Sequence, residues 1–146
     1  MAATALLVAV PVIGIANLTA IAACTTRAPI ATANLAASNL VALTAASTLG
    51  MRADSIEVQA VSTSMTGASV AALVGIWMWD GTNATLIQEI VITAVTPSTT
   101  SAAFTTTVTF ANPIGIPPTY RLYVSTTVAT TAATNALAVL AFGGSF

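Results

Sequence analysis

Charge is the property this sequence has least of. Its 146 residues include 3 basic and 4 acidic side chains, so 5% are charged, and there is no histidine. An ordinary soluble domain carries about 25% charged residues. Without a basic patch the chain lacks the electrostatic footprint of a nucleic-acid-binding protein. Without histidine it lacks the commonest general base, so its serines and threonines have nothing to activate them. We predict that the chain is not an enzyme and binds no nucleic acid.

Cysteine is nearly absent as well, and acidic residues are too few to form an obvious site. The single cysteine, Cys24, excludes an internal disulfide and a cysteine-based metal centre. We predict that Cys24 is a small, buried hydrophobic residue. Of the four carboxylates, Asp80 belongs to a turn, where it can cap its own backbone. We predict no catalytic residue, no cofactor and no metal. A divalent-cation site using Asp54 or Asp80 at a subunit interface stays open as an alternative.

Apolar residues are abundant, yet long uninterrupted hydrophobic runs are missing. The chain is 56% hydrophobic. The longest candidate span, Ala2–Ile15, has about 14 residues and contains Pro11 and Gly14, whereas a spanning helix needs about 20. No basic residue precedes Arg27, which argues against a signal peptide. We predict no membrane partner. A hydrophobic chain with so little charge instead predicts association with copies of itself or with other proteins.

The most informative stretch is Val70–Thr93, in which two apolar runs flank Asp80-Gly81. Asp-Gly is a strong hairpin signal because glycine readily adopts a positive φ. Both faces of the first arm are apolar, since aliphatic residues alternate with tryptophans. A second sheet or a neighbouring subunit should therefore cover each face. The residues we assign to a candidate interface are Val74, Ile76, Trp77, Met78 and Trp79.

Further strands follow the same logic after residue 50. Thr residues alternate with apolar residues over Phe104–Phe110, which is typical of a half-buried strand. Asn112–Thr119 holds three prolines, so we expect a rigid corner there. The remaining predicted strands are Asp54–Ser62, Tyr120–Thr127 and Ala136–Phe142. Counted from Leu40, about seven strands without a helical period predict an all-β fold, an antiparallel β-sandwich or jelly-roll-like domain spanning residues 51–146.

The first 50 residues are the least informative. We interpret residues 1–50 as an N-terminal arm with the first strands, an extended segment that lies over a neighbouring subunit. Ala31–Leu49 is rich in Ala and Leu and could form a helix. Its scattered Thr, Ser and Asn residues lower helix propensity, so we favour a strand over Leu40–Thr44 and a turn over Ala45–Arg52.

Part of the sequence resembles a small family of tailed-phage virion proteins. The similarity rests on Trp79-Asp80-Gly81-Thr82-Asn83, on Gln88-Glu89-Ile90 in the partner strand and on Thr96-Pro97-Ser98. A closing Phe142-Gly143-Gly144-Ser145-Phe146 completes it. The resemblance covers roughly residues 52–146, and the chain departs from the family pattern in having no lysine.

The resemblance implies a virion structural protein of the capsid decoration, or cement, type. Such a protein is made in the host cytoplasm and sits on the capsid exterior. It would be a homo-oligomer, commonly a trimer, whose partner is the phage major capsid protein. The alternative from the sequence is a tail- or fibre-associated module that binds carbohydrate on the host surface. In that case Trp77 and Trp79 would form a stacking platform for sugar.

Overall fold

The chain folds into two antiparallel β-sheets packed face to face. The computed structural model describes residues 12–63 and 67–146, and within these ranges there is no α-helix. The predicted all-β sandwich is therefore confirmed. The strands are β1 (Val12–Leu18), β2 (Ile30–Ala31), β3 (Val41–Ala42), β4 (Met51–Ala60), β5 (Ala72–Trp79), β6 (Asn83–Ile92), β7 (Thr105–Ile116), β8 (Arg121–Thr126) and β9 (Leu137–Ser145).

Strand order gives the sandwich a jelly-roll topology. One sheet has the order β1-β9-β4-β7, and the other has the order β2-β6-β5-β8-β3. If the two-residue β2 is set aside, each sheet has four strands. The first strand of the chain then lies beside the last, and successive strands cross repeatedly from one sheet to the other. This is the arrangement of a double Greek key wrapped into two sheets.

The core lies between the two sheets and is built from aliphatic side chains at alternate positions. Ile56, Val58 and Val139 point inward from the four-stranded sheet, and Val74 and Val124 from the five-stranded sheet. All five are fully buried. Each such side chain contributes about 1.5–3 kcal/mol relative to an exposed position. The strict alternation explains why these strands keep one register, since a slip by one residue would turn the apolar set toward solvent.

The hairpin tip between β5 and β6 forms as predicted. Gly81 has a φ of +99°, a conformation that favours glycine. The carboxylate Oδ1 of Asp80 accepts hydrogen bonds from the backbone N–H groups of Thr82 and Asn83, at 2.8 and 2.7 Å. The Asp80 side chain therefore holds the turn that joins the two longest neighbours in the five-stranded sheet.

The corner between strands is shorter than the predicted Asn112–Thr119. β7 continues through Asn112 and Pro113 to Ile116. It accommodates proline because it is an edge strand with an irregular ladder: Ser55 pairs with Thr109, whereas Ala53 pairs with Ile114. Proline is tolerated at edges and bulges, where no ladder hydrogen bond is lost. The corner between strands is confined to residues 117–120.

The described part of the first 50 residues contributes three strands to the two sheets of its own chain. β1 pairs with β9, β2 with β6, and β3 with β8. Leu18 in β1 is fully buried in the common core. The strand expected over Leu40–Thr44 is present as the short β3, and a 3₁₀ turn at Thr32–Asn34 precedes it. Residues 1–11 of the expected N-terminal arm lie outside the described residues.

The described ranges contain no helix that is long and apolar enough to cross a membrane.

Candidate functional site

The inward side chains of β5 face the four-stranded sheet of the same chain. Val74 and Ile76 are fully buried between the two sheets, and Met78 packs partly against the same core. The expected interface therefore does not extend to Val74 and Ile76. The physical reason is that the four-stranded sheet of the same chain already covers this face.

Trp77 lies on the opposite face of β5 and is also covered by its own chain. Its side chain is 1% exposed and belongs to a second apolar cluster with Cys24, Leu35 and Leu40. These residues come from the segment between β1 and β3, which crosses the outer face of the five-stranded sheet. Both faces of β5 are covered, as predicted. The four-stranded sheet covers the inner face, and the segment between β1 and β3, not a neighbouring subunit, covers the outer face. Trp77 is thus a core residue in this chain.

A buried hydrogen bond fixes the orientation of the Trp77 ring. The indole N–H donates to the hydroxyl of Ser125 on β8 at 2.9 Å. Gly75 permits this arrangement, because a Cβ there would lie 2.9 Å from the indole nitrogen and 3.0 Å from the Ser125 oxygen. The absence of a side chain at Gly75 therefore makes room for the Trp77–Ser125 pair.

Trp79 lies at the rim of the same face and is half-buried. Its ring lies under the guanidinium of Arg121, whose Cζ is 4.8 Å from the ring centroid. Its indole N–H donates to Thr32 Oγ1 at 2.9 Å. With Trp77 enclosed and Trp79 partly covered by Arg121, the two rings offer no open stacking platform for a sugar.

The four carboxylates are dispersed over the molecule. Asp54 pairs with Arg52 at 2.8 Å, and Glu89 pairs with Arg27 at 2.8 Å. Glu57 accepts a hydrogen bond from Gln59. Asp80 is held in its turn, where the N–H groups of Asn83 and Thr82 lower the pKa of its carboxyl. In the described ranges no three His, Cys, Asp or Glu residues come close enough to form a metal site.

A small cavity lies beside the second apolar cluster. Beneath the segment Cys24–Arg27 lies a space of about 20 Å³ bordered by Gly75 and Ser125, which is room for about one water molecule. Cys24 itself is buried and unbonded to another cysteine. Its backbone N–H donates to the carbonyl of Thr126, so this residue helps attach the crossing segment to β8.

One end of the sandwich presents an apolar surface that the sequence does not identify. Leu49 and Phe146 are 66% and 68% exposed, the two largest values among the big apolar side chains of the described ranges. They border an open depression of 290 Å³ whose lining contains no charged residue. We call this surface the end patch. Its members are Leu49, Gly50, Met51, Gly115, Ile116, Pro117, Pro118 and Phe146.

Backbone contacts between distant segments assemble the end patch. The N–H of Phe146 donates to the carbonyl of Gly50, and the N–H of Thr119 donates to the carbonyl of Ser47. Sequence reasoning missed this surface because it interprets these stretches as separate loops. Leu49 and Phe146 come together because the start of β4 pairs with the end of β9, a contact between residues far apart in the sequence.

Comparison of the chain with models of known protein families, with curated proteins and with solved structures finds no match. The virion resemblance therefore rests on the sequence pattern alone.

Proposed function

We propose that this chain is a non-enzymatic structural protein of a phage virion. It acts as a capsid decoration, or cement, protein that binds the exterior of the shell and bridges neighbouring capsid subunits. It does so as a homo-oligomer, for which the resemblance favours a trimer. The end patch is the surface we assign to the contact with the major capsid protein.

The observation that carries the proposal is the exposed, uncharged end patch on a jelly-roll sandwich. Large apolar side chains that stay exposed and contiguous usually mark a protein interface. Jelly rolls occur in viral capsid proteins and also in lectins and cupins, so the fold supports the proposal only by analogy. The lectin-like alternative loses its specific support, because Trp77 is enclosed and Trp79 is covered by Arg121.

The mechanism needs no chemistry beyond binding. A protein that binds the assembled shell and not its separated subunits stabilises the shell by mass action. Burying the end patch removes apolar surface from water at about 25 cal/mol per Å², and the costs of association offset most of that gain. With only seven charged side chains in the chain, such binding depends weakly on ionic strength.

Copy number in purified virions tests the proposal. The chain is quantified by gel densitometry or mass spectrometry relative to the major capsid protein. We expect hundreds of copies per particle, and particles lacking the chain should lose their genome at lower temperature. A handful of copies would point to the tail, and complete absence from virions would overturn the proposal.

A further inference from the structure

Among the described residues, no strand pairs with the outer edge of β7. β7 ends the four-stranded sheet, with β4 as its neighbour on one side and no described strand on the other. It has 12 residues, and no charged residue occurs between positions 102 and 119. Protein edges are normally protected by charge, by short length or by a covering segment. Within the described ranges only Pro113 and the irregularity before Ile114 protect this one.

The hydrogen-bonding groups on that free edge can be assigned. The N–H of Ala60 donates to the carbonyl of Phe104, which makes this a hydrogen-bonded pair of the β4–β7 ladder. Such pairs alternate along an antiparallel ladder with pairs whose backbone groups point away. Thr105, Thr107 and Thr109 therefore direct their N–H and C=O groups to the free side.

Apolar side chains on the same strand are incompletely covered. Phe104, Val108 and Phe110 point toward the core and pack against it, but each is only half-buried. They lie at the open side of the sandwich, next to the free edge. A strand added along β7 would cover both the backbone groups and these side chains.

The segment 104–110, which contains the first half of β7, is nearly a palindrome about Thr107. Residues 104–110 read Phe-Thr-Thr-Thr-Val-Thr-Phe. In an antiparallel pair centred on Thr107, Thr105 lies opposite Thr109 of the second copy. On the inner face Phe104 lies opposite Phe110 of the second copy. Thr–Thr and aromatic pairs are both favourable across strands. Thr107 is also suitable as the central residue of this pair, because its backbone N–H and C=O groups face the free edge.

We propose that β7 pairs with β7 of a second copy of this chain, antiparallel and centred on Thr107, to form a continuous eight-stranded sheet. The contact is isologous and closes on itself, since each chain has one such edge. It joins two chains. If a separate contact also holds the chains in trimers, the β7 contact joins one trimer to another. Absence of charge on β7 removes the repulsion that would oppose the pairing of identical strands.

The test uses lysine at the proposed axis. Thr107 is exposed, and its neighbour across the β4–β7 ladder is Glu57, so Thr107→Lys leaves the fold intact. In the paired form the two lysines would lie opposite each other at the two-fold axis, and their like charges would repel. Light scattering of the wild type should give an even multiple of the 14.5 kDa chain mass. T107K should halve that mass, whereas the matched control Thr99→Lys, in an exposed turn, should leave it unchanged.

A cysteine variant gives a second, independent measurement. Residues opposite each other in a hydrogen-bonded antiparallel pair have Cα atoms about 5.5 Å apart, within the range that a disulfide spans. Thr107→Cys should form a disulfide-linked dimer on mild oxidation, and Thr99→Cys should not. A wild-type mass of one or three chains, or an unchanged mass for T107K, overturns the proposal. Because purified chain is used, either result is independent of whether the protein belongs to a virion.

Discussion

The indole N–H of Trp77 and the hydroxyl of Ser125 form a buried hydrogen bond of 2.9 Å between β5 and β8. Both side chains lie on the outer face of the five-stranded sheet, beneath the segment that runs from β1 to β3. The bond satisfies two polar groups in an otherwise apolar cluster. It therefore joins two neighbouring strands on the face that the internal segment covers.

Replacement of Trp77 by Phe should destabilise the protein by roughly 2–4 kcal/mol, because it leaves Ser125 without this donor and opens a cavity. Chemical denaturation measures the free energy of unfolding. The matched variant Trp79→Phe loses a hydrogen bond at the exposed rim. It should cost less than about 1.5 kcal/mol. Equal decreases in the free energy of unfolding for the two variants would show that the buried hydrogen bond stabilises the fold no more than the exposed one.

An alanine at Gly75 should be destabilising by about 1–3 kcal/mol, because its Cβ would press on Trp77 and Ser125. Gly115 in β7 provides the control, since a Cβ there meets nothing within 4 Å. Gly115→Ala should be neutral or slightly stabilising. The comparison uses thermal or urea unfolding of both variants, and a neutral result for Gly75→Ala would contradict the packing described.

The Asp80 turn should give a pH-dependent contribution to stability. The pKa of Asp80 lies below its ordinary value of 3.8 because the N–H groups of Asn83 and Thr82 favour the carboxylate. A depressed folded-state pKa contributes stability above the unfolded value, and this contribution disappears as the pH falls through the folded value. Asp80→Ala should therefore be less stable than the wild type at neutral pH, and the difference should shrink in strong acid. Asp80→Asn keeps an acceptor oxygen that does not titrate, so its stability should lack this acid-dependent part.

Leu18 should be indispensable to the fold although it lies in the N-terminal part of the chain. Leu18→Ala should cost about 2–5 kcal/mol, as expected for a fully buried leucine. Ile15, in the same strand, is 57% exposed. Ile15→Ala should change the free energy of unfolding by less than about 1 kcal/mol. Small, similar effects of both changes would instead support an N-terminal arm that adds little to the core.

The end patch should matter for binding and not for folding. Changing Leu49 and Phe146 together to Ser should weaken binding to capsid shells that lack the chain, as measured by co-sedimentation. Their exposure predicts a stability change of about 0.5 kcal/mol or less per site. Val91→Ser, at a residue 64% exposed on β6, is the control and should bind normally. Normal binding of the double variant would exclude the end patch as the capsid contact.

The local signals in the sequence predict the fold well where neighbours in the chain are also neighbours in space. Asp80-Gly81 specifies its hairpin, and the alternation over Phe104–Phe110 specifies the first half of β7. Prediction fails where a contact joins distant residues. Nothing near Cys24 indicates that it packs under Trp77, and nothing near Leu49 indicates that Phe146 lies beside it. The extent of β7 was underestimated because Pro113 excludes a central strand but not an edge strand.

The pairing of β1 with β9 has a consequence for synthesis. These strands are the first and last of the described fold, and Leu18 pairs with Leu137 across almost the whole chain. The four-stranded sheet therefore stays incomplete until the final strand has left the ribosome. Contacts of such long sequence separation form slowly. During that interval the nascent chain carries uncovered strands and little charge to repel other nascent chains, so its production in cells should depend on chaperones and on a moderate rate of translation.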